Sequence, residues 1–153
     1  METKAGYKLV AVGGTFDAFH RGHEALLKKA FEIGESVIIG LTSDEMMDKD
    51  ISPYKDRKKV LEDFLKENSF LDRCRIIKLD DPYGPATDDE RMDAIVVSEE
   101  TRYMAGKINN IREKKGLAPL NVVVIPLILA EDGIPISSTR VKKGKIDRNG
   151  KLI

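Results

Sequence analysis

Five short apolar runs punctuate the chain, at 8–13 (KLVAVG), 36–42 (SVIIGLT), 74–79 (CRIIKL), 94–98 (AIVVS) and 121–126 (NVVVIP). Each is rich in Val and Ile and lacks the strict alternation of a strand with one wet face, so each predicts a strand buried on both sides. Between them lie charged segments with helical spacing of apolar residues, at 21–34, 54–68 and 99–115. The first carries Leu26, Leu27, Ala30, Phe31 and Ile33 and predicts a glycine stop at Gly34; the third predicts one at Gly116, ahead of Pro119. Strand and helix alternating over five strands point to a parallel, doubly wound α/β sheet with right-handed crossovers. Such sheets take ligands in the crevice beyond the carboxyl ends of their strands.

A chain of 153 residues without repeat, low-complexity stretch or linker reads as one domain over 1–153, with a core over 7–143 and a basic tail over 144–153. Lys plus Arg number 26 and Asp plus Glu 26, a balance that argues against a general nucleic-acid binder. Cys74 is the only cysteine, which excludes an internal disulfide and a Cys-framed zinc site. The longest apolar run, VVVIPLILA at 122–130, is too short for a bilayer and holds a proline. The start METKAGYK reads as neither signal nor transit peptide. These features lead us to expect a soluble cytoplasmic protein with no nucleic-acid or membrane partner; they leave its oligomeric state open.

The crevice rule directs attention to VAVGGTFDAFHRGHEALLKKA, residues 10–30. Gly13, Gly14 and Thr15 fall at the carboxyl end of the first strand, where glycines let a ligand approach the backbone, and Gly22 offers the same at the helix start. The helix N-terminus supplies free N–H groups and a positive dipole end. His20 and His23, the only histidines, stand three apart and can share one face of that helix. Two imidazoles there suit a polyphosphate, donating hydrogen bonds and carrying charge that phosphate favours. Spacing alone also admits a pair of surface histidines. Zinc would need more soft ligands than Cys74. GGTFDA lacks the G-x-G-x-x-G spacing, and no Walker Lys-Ser or Lys-Thr pair follows the glycines.

A second anion site is legible at Ile136-Ser137-Ser138-Thr139-Arg140, after the fifth strand and Pro135. Three hydroxyl residues opening a short helix offer caps and N–H groups, and Arg140, Lys142 and Lys143 add charge. A capped C-terminal helix with a solvated basic tail is the plainer alternative.

GTFDAFHRGH resembles the H-x-G-H signature of the nucleotidyltransferase superfamily, and ISSTR resembles its partner motif, I-S-S-[ST] followed by a basic residue. Asp81-Pro82-Tyr83-Gly84-Pro85, Val97-Ser98-Glu99-Glu100-Thr101 and Ile108-Asn109-Asn110-Ile111-Arg112 are similar to words of the archaeal and eukaryotic type of phosphopantetheine adenylyltransferase, so the resemblance runs from about residue 8 to 143. It implies a Rossmann-like nucleotidyltransferase fold and a reaction of ATP with 4′-phosphopantetheine, giving dephospho-coenzyme A and pyrophosphate. Mg²⁺ would accompany the triphosphate, held by its oxygens and water, with no metal ligand from a protein side chain. A substrate phosphate oxygen would attack the α-phosphorus in line, so no protein nucleophile is required.

The resemblance also implies roles. Gly13 and Gly14 form the phosphate turn, and Thr15 positions the attacking phosphate. His20 and His23 hold the ATP phosphates, with His23 at the reacting centre. Ser137, Ser138 and Thr139 bind the outer phosphates. The superfamily arginine falls at Lys142, so either Arg140 or Lys142 meets the leaving phosphates, and Lys142 would do so as a point charge. Lys49 is the candidate for the incoming phosphate, with Lys55 and Arg57 competing. Ser98, Thr101 and Arg102 either bind nucleotide or simply start a helix. Asp80 and Asp81 read as part of a D-P-Y-G-P turn that shapes the pantetheine pocket or the sheet edge, in preference to metal ligands. Rival readings are an FMN adenylyltransferase, a cytidylyltransferase, or a nucleotide-binding sensor without activity. The cytidylyltransferase form R-[TS]-x-G-[IV]-[ST]-T is not matched by Gly133-Ile134-Pro135-Ile136-Ser137.

Overall fold

The computed structural model describes residues 6–48 and 50–153. Strands β1 (Tyr7–Gly14), β2 (Gly34–Thr42), β3 (Cys74–Leu79), β4 (Ala94–Ser98) and β5 (Asn121–Ile125) form one parallel sheet in the order β3-β2-β1-β4-β5. Helices α1 (Arg21–Ile33), α2 (Tyr54–Glu67), α3 (Arg102–Lys114) and the short α4 (Ser138–Lys142) connect and follow them. This is the doubly wound α/β class that the alternation predicts. Strand order reverses between β1 and β4, so the crevice opens where β1 ends, at Gly13 and Gly14.

The strands carry no polar alternation because both their faces are covered. Val10, Val12, Val37, Ile39 and Leu41 pack with Leu27, Phe31, Leu61 and Leu65 of α1 and α2. The intervening Ala11, Ile38 and Ile95 face the other way, against Ala105 and Ile108 of α3. Each buried aliphatic side chain contributes about 1.5–3 kcal/mol over leaving it in water.

The two glycine stops differ in cause. Gly116 has φ +77, the left-handed cap that the sequence predicts. Gly34 has φ −116 and ψ 140, extended backbone in which α1 runs straight into β2. A Cβ there would lie 2.6 Å from Val10 Cγ2, so close strand packing requires this glycine.

The word I-N-N-I-R on α3 ties loops down. The Asn109 amide pairs with both the N–H (2.8 Å) and C=O (3.1 Å) of Leu120. Arg112, 1% exposed, donates to the carbonyls of Ala118 (2.8 Å), Ala86 (2.8 Å) and Asp89 (3.0 Å). A buried guanidinium thereby satisfies loop carbonyls that would otherwise be orphaned.

Residues 144–153 are more than a basic tail. Ile146 is fully buried against Ala130 and Ile136, and pairs across a bridge with Leu152. Asp147 accepts from the N–H groups of Asn149 and Lys151, turning the chain back. Arg148 accepts from Arg21 N–H (3.0 Å) and pairs with Glu24, closing the segment on the start of α1. A single isoleucine among charges carries this packing, a signal too slight to read as an element. Among the described residues, no helix is long and apolar enough to cross a membrane.

Candidate active site

Between β1 and α1 the chain makes a strained loop. Phe16 (φ 51) and Ala18 (φ 46) are left-handed without being glycine, which costs of order 1–3 kcal/mol each and persists only where surroundings enforce it. Phe16 and Phe19 enforce it by burial in the main core. Asp17, 3% exposed, enforces it by polar contacts: its carboxylate takes the Lys142 ammonium (2.8 Å) and Ser52 N–H (3.3 Å), and its carbonyl takes the Ser138 hydroxyl (2.6 Å). Burial alone would raise the Asp17 carboxyl, but the Lys142 and Ser52 hydrogen bonds outweigh it and hold it below the usual carboxylate range. Asp17 thus joins the β1–α1 loop, the loop before α2 and α4.

The histidines cap α1 with each other. Gly22 N–H donates to His20 Nδ1 (3.0 Å), and His20 N–H donates to His23 Nδ1 (3.1 Å). This is a capping box made of imidazoles. Because both Nδ1 atoms accept, the neutral rings carry their protons on Nε2. The rings stack with centroids 3.8 Å apart, and His23 also lies against Phe16 (5.3 Å) and Phe19 (5.4 Å). Burial lowers His20 to about 4, partly opposed by Glu24. Burial and then His20 lower His23 to about 3, opposed by Asp17. Of the two capacities the sequence suggests, donation and charge, the caps favour neutral donors, since a proton on Nδ1 would break them.

That geometry sets a pH dependence. Both folded-state values lie below 6.5, so between pH 6.5 and about 3 the unfolded chain binds protons that the folded one refuses. Stability is full above that window and falls as pH drops through it. Thermal melts should show a melting temperature that is level near neutrality and declines from pH 6.5 toward 4; a level profile across that range would contradict the neutral pair.

Gly22 lines a cavity beside the histidines, as its position suggests, and serves a second purpose. A Cβ there would meet His20 Cε1 at 2.8 Å and Nδ1 at 3.0 Å, so the glycine makes room for the capping ring. At Gly13 and Gly14 a Cβ would find no protein atom nearer than 3.5 and 3.4 Å. Protein packing does not demand those two glycines; they line open space.

Two cavities meet there. One, of about 260 Å³, is walled by His20, His23, Ser98, Thr101, Ser137 and Ser138, with Pro126, Leu127 and Ile128 beyond them. The other, of about 360 Å³, is largely apolar, with Thr42, Met46, Met47, Leu79, Tyr83 and Met104 on its walls. Gly13, Gly14 and Thr15 line both. The structure therefore brings together most of the residues singled out from the sequence. Thr139 and Arg102 are exposed and line neither cavity. Arg140 is held by the Asp132 carboxylate and the carbonyls of Ile134 and Pro135. Lys142 is held by Asp17 and the Asp50 carbonyl. Lys49 lies outside the described residues.

Asp81 makes the turn that its sequence suggests: its Oδ1 accepts from the N–H groups of Tyr83 (2.9 Å) and Gly84 (2.8 Å), placing Tyr83 and Pro85 on the apolar wall. Sequence reasoning missed Asp17, although a lone acid inside a would-be phosphate loop was a usable sign. It also missed Thr42 and Met47, which carry no motif.

Residues 11–144 match the family described as cytidylyltransferase-like. A phosphopantetheine adenylyltransferase of Methanothermobacter thermautotrophicus is 48% identical over 153 residues, covering 98% of this chain and 92% of that protein. One from Methanosarcina barkeri is 53% identical over 148 residues, covering 94% and 91%. Among solved structures, a protein of unknown function from Archaeoglobus fulgidus superposes with a TM-score of 0.70 at 34% identity, covering 76% of this chain and 87% of that one. Identity of this extent over nearly the whole chain means that it belongs to the cytidylyltransferase-like family and, within it, to the phosphopantetheine adenylyltransferases.

Proposed function

We propose that the protein transfers the adenylyl group of ATP to 4′-phosphopantetheine, giving dephospho-coenzyme A and pyrophosphate. The observation that carries this reading is the shared floor of the two cavities. A triphosphate in the histidine-lined cavity and a slender acceptor in the other would meet at Gly13, Gly14 and Thr15. An acceptor phosphate oxygen attacks the α-phosphorus, a new P–O bond forms opposite the α–β bridge, and that bridge breaks to release pyrophosphate. The protein's part is positioning and charge stabilisation.

Neutral imidazoles suit that part. Their Nε2–H groups, fixed by the caps, donate to phosphoryl oxygens as negative charge builds, without reorganising in the transition state. The positive dipole end of α1 adds to the same field. Ser137 and Ser138 bind the β- and γ-phosphates, while Arg140 and Lys142 lend charge. Lys49 and Thr15 receive the acceptor phosphate. Mg²⁺ accompanying ATP would be held by phosphate oxygens and water and would offset their charge. The setting is the cytoplasm.

The test is pyrophosphate release with ATP or CTP, offered with 4′-phosphopantetheine, FMN or glycerol 3-phosphate. Release with ATP and phosphopantetheine alone is the expected result. Release with another pair would replace the substrate assignment, and silence with every pair would leave a nucleotide sensor.

A further inference from the structure

Arg57 is 2% exposed and sits behind the site without entering either cavity. Its Nη1 donates to the Thr15 carbonyl (3.0 Å) and to Thr42 Oγ1 (3.3 Å). Nε donates to the Ser52 carbonyl (2.7 Å), and Nη2 meets the Asp44 carboxylate (3.3 Å). The Thr42 hydroxyl in turn donates to Thr15 Oγ1 (3.3 Å), and the Thr15 hydroxyl donates to Met47 Sδ (3.2 Å).

The polarity of this chain runs outward from one end. A guanidinium can only donate. Thr42 Oγ1, having accepted from it, must point its own proton elsewhere, and Thr15 Oγ1 is there to take it. Thr15, having accepted, sends its proton outward. Resting on the acceptor assignment above, we propose that Arg57 and Thr42 are positioning residues that aim the Thr15 hydroxyl proton at the incoming phosphate.

The end of the chain fits that task. Thr15, Thr42 and Met47 all line the apolar cavity. A thioether is a weak acceptor, and a phosphate oxygen a much stronger one. An entering phosphate takes the Thr15 proton from Met47 at little cost. Without the relay, the Thr15 hydroxyl is free to turn a lone pair toward the anion. The charge on Arg57 reaches the acceptor through two hydroxyls, while its Thr15 carbonyl bond fixes the backbone beneath them.

A double-mutant cycle tests this, with Thr15→Val, Thr42→Val and the pair, read as kcat/KM for 4′-phosphopantetheine at saturating ATP. Thr42→Val should cost roughly tenfold, about one hydrogen bond, with ATP affinity unchanged. Added to Thr15→Val it should cost nothing more, because Thr42 acts only through Thr15. Thr42→Ser should recover most of the loss. An undiminished Thr42→Val enzyme, or a penalty that persists in the Thr15→Val background, would overturn the relay. A wrong acceptor shows already in the wild type, and the cycle is then run on whichever phosphorylated acceptor it uses. If none turns over, NMR of the ligand-free protein decides: a slowly exchanging Thr42 hydroxyl proton in contact with Thr15 supports the relay, and its absence refutes it.

Discussion

His23→Ala is expected to lower turnover by roughly a hundredfold or more while the domain stays folded, the scale of losing one preorganised donor at developing charge. The substitution removes a ring that lines the histidine-walled cavity, and with it the proposed Nε2–H donor. It also removes the Nδ1 acceptor that caps His20 N–H and one ring of the stack with Phe16, Phe19 and His20. The lost cap costs about 0.5–2 kcal/mol, and domains of this size hold about 5–15 kcal/mol in reserve. Circular dichroism and a thermal melt should therefore show a folded protein with a lowered midpoint. Steady-state kinetics should show kcat falling more than ATP affinity. Turnover near the wild-type rate would remove His23 from the reacting centre.

Asp17→Asn should be the more damaging change to the fold and a serious one for activity. The amide keeps an acceptor for Ser52 N–H but gives up the charge that holds Lys142. Breaking a fully buried pair costs about 3–5 kcal/mol. Lys142 is one-third exposed, so solvent recovers part of that, leaving about 2–3 kcal/mol. For a chain of this length the melting temperature should drop by about 5–10 °C. The left-handed Phe16 and Ala18 lose part of what enforces them, so turnover should fall roughly tenfold as the histidines lose register. The sign with pH follows from the carboxyl's lowered value. The wild-type advantage is full above the usual carboxylate range and disappears as pH falls through the folded-state value. Melts of both proteins from neutral to acid pH check this; a gap that stays constant would mean that the Asp17 charge contributes nothing.

What could be read in advance and what could not divide along physical lines. The Val and Ile runs announce strands buried on both faces because burial leaves a composition that needs no partner to be recognised. His20, His23 and the serines that open α4 could be singled out because their order resembles a family signature, and the fold brings them to one cavity. The purpose of Gly22 and Gly34 is not legible. Each is demanded by one neighbour, the His20 ring or Val10, whose closeness exists only in three dimensions. The neutral state of the histidines is hidden for the same reason: it follows from which nitrogen caps the helix. Asp17, Thr42 and Arg57 act across separations of 125, 27 and 42 residues, to Lys142, Thr15 and Thr15, and no local pattern marks such contacts.

The same reasoning separates what α4 does from what its charges suggest. Arg140 and Lys142 look from the sequence like free cations waiting for phosphate. In the folded chain they first hold Asp132 and Asp17, and so fix where Ser137 and Ser138 stand. A basic run that reads as phosphate-binding can thus be structural in its contacts.

The central claim is direct transfer at the shared floor of the two cavities, without a protein-bound adenylyl group. It is tested most directly by the stereochemistry at phosphorus, using ATP made chiral by sulfur at the α-phosphate and 4′-phosphopantetheine as acceptor. One in-line displacement inverts the configuration, and inversion in the dephospho-coenzyme A product is the result this account predicts. Retention would require two displacements and a covalent intermediate on the protein, and would contradict it.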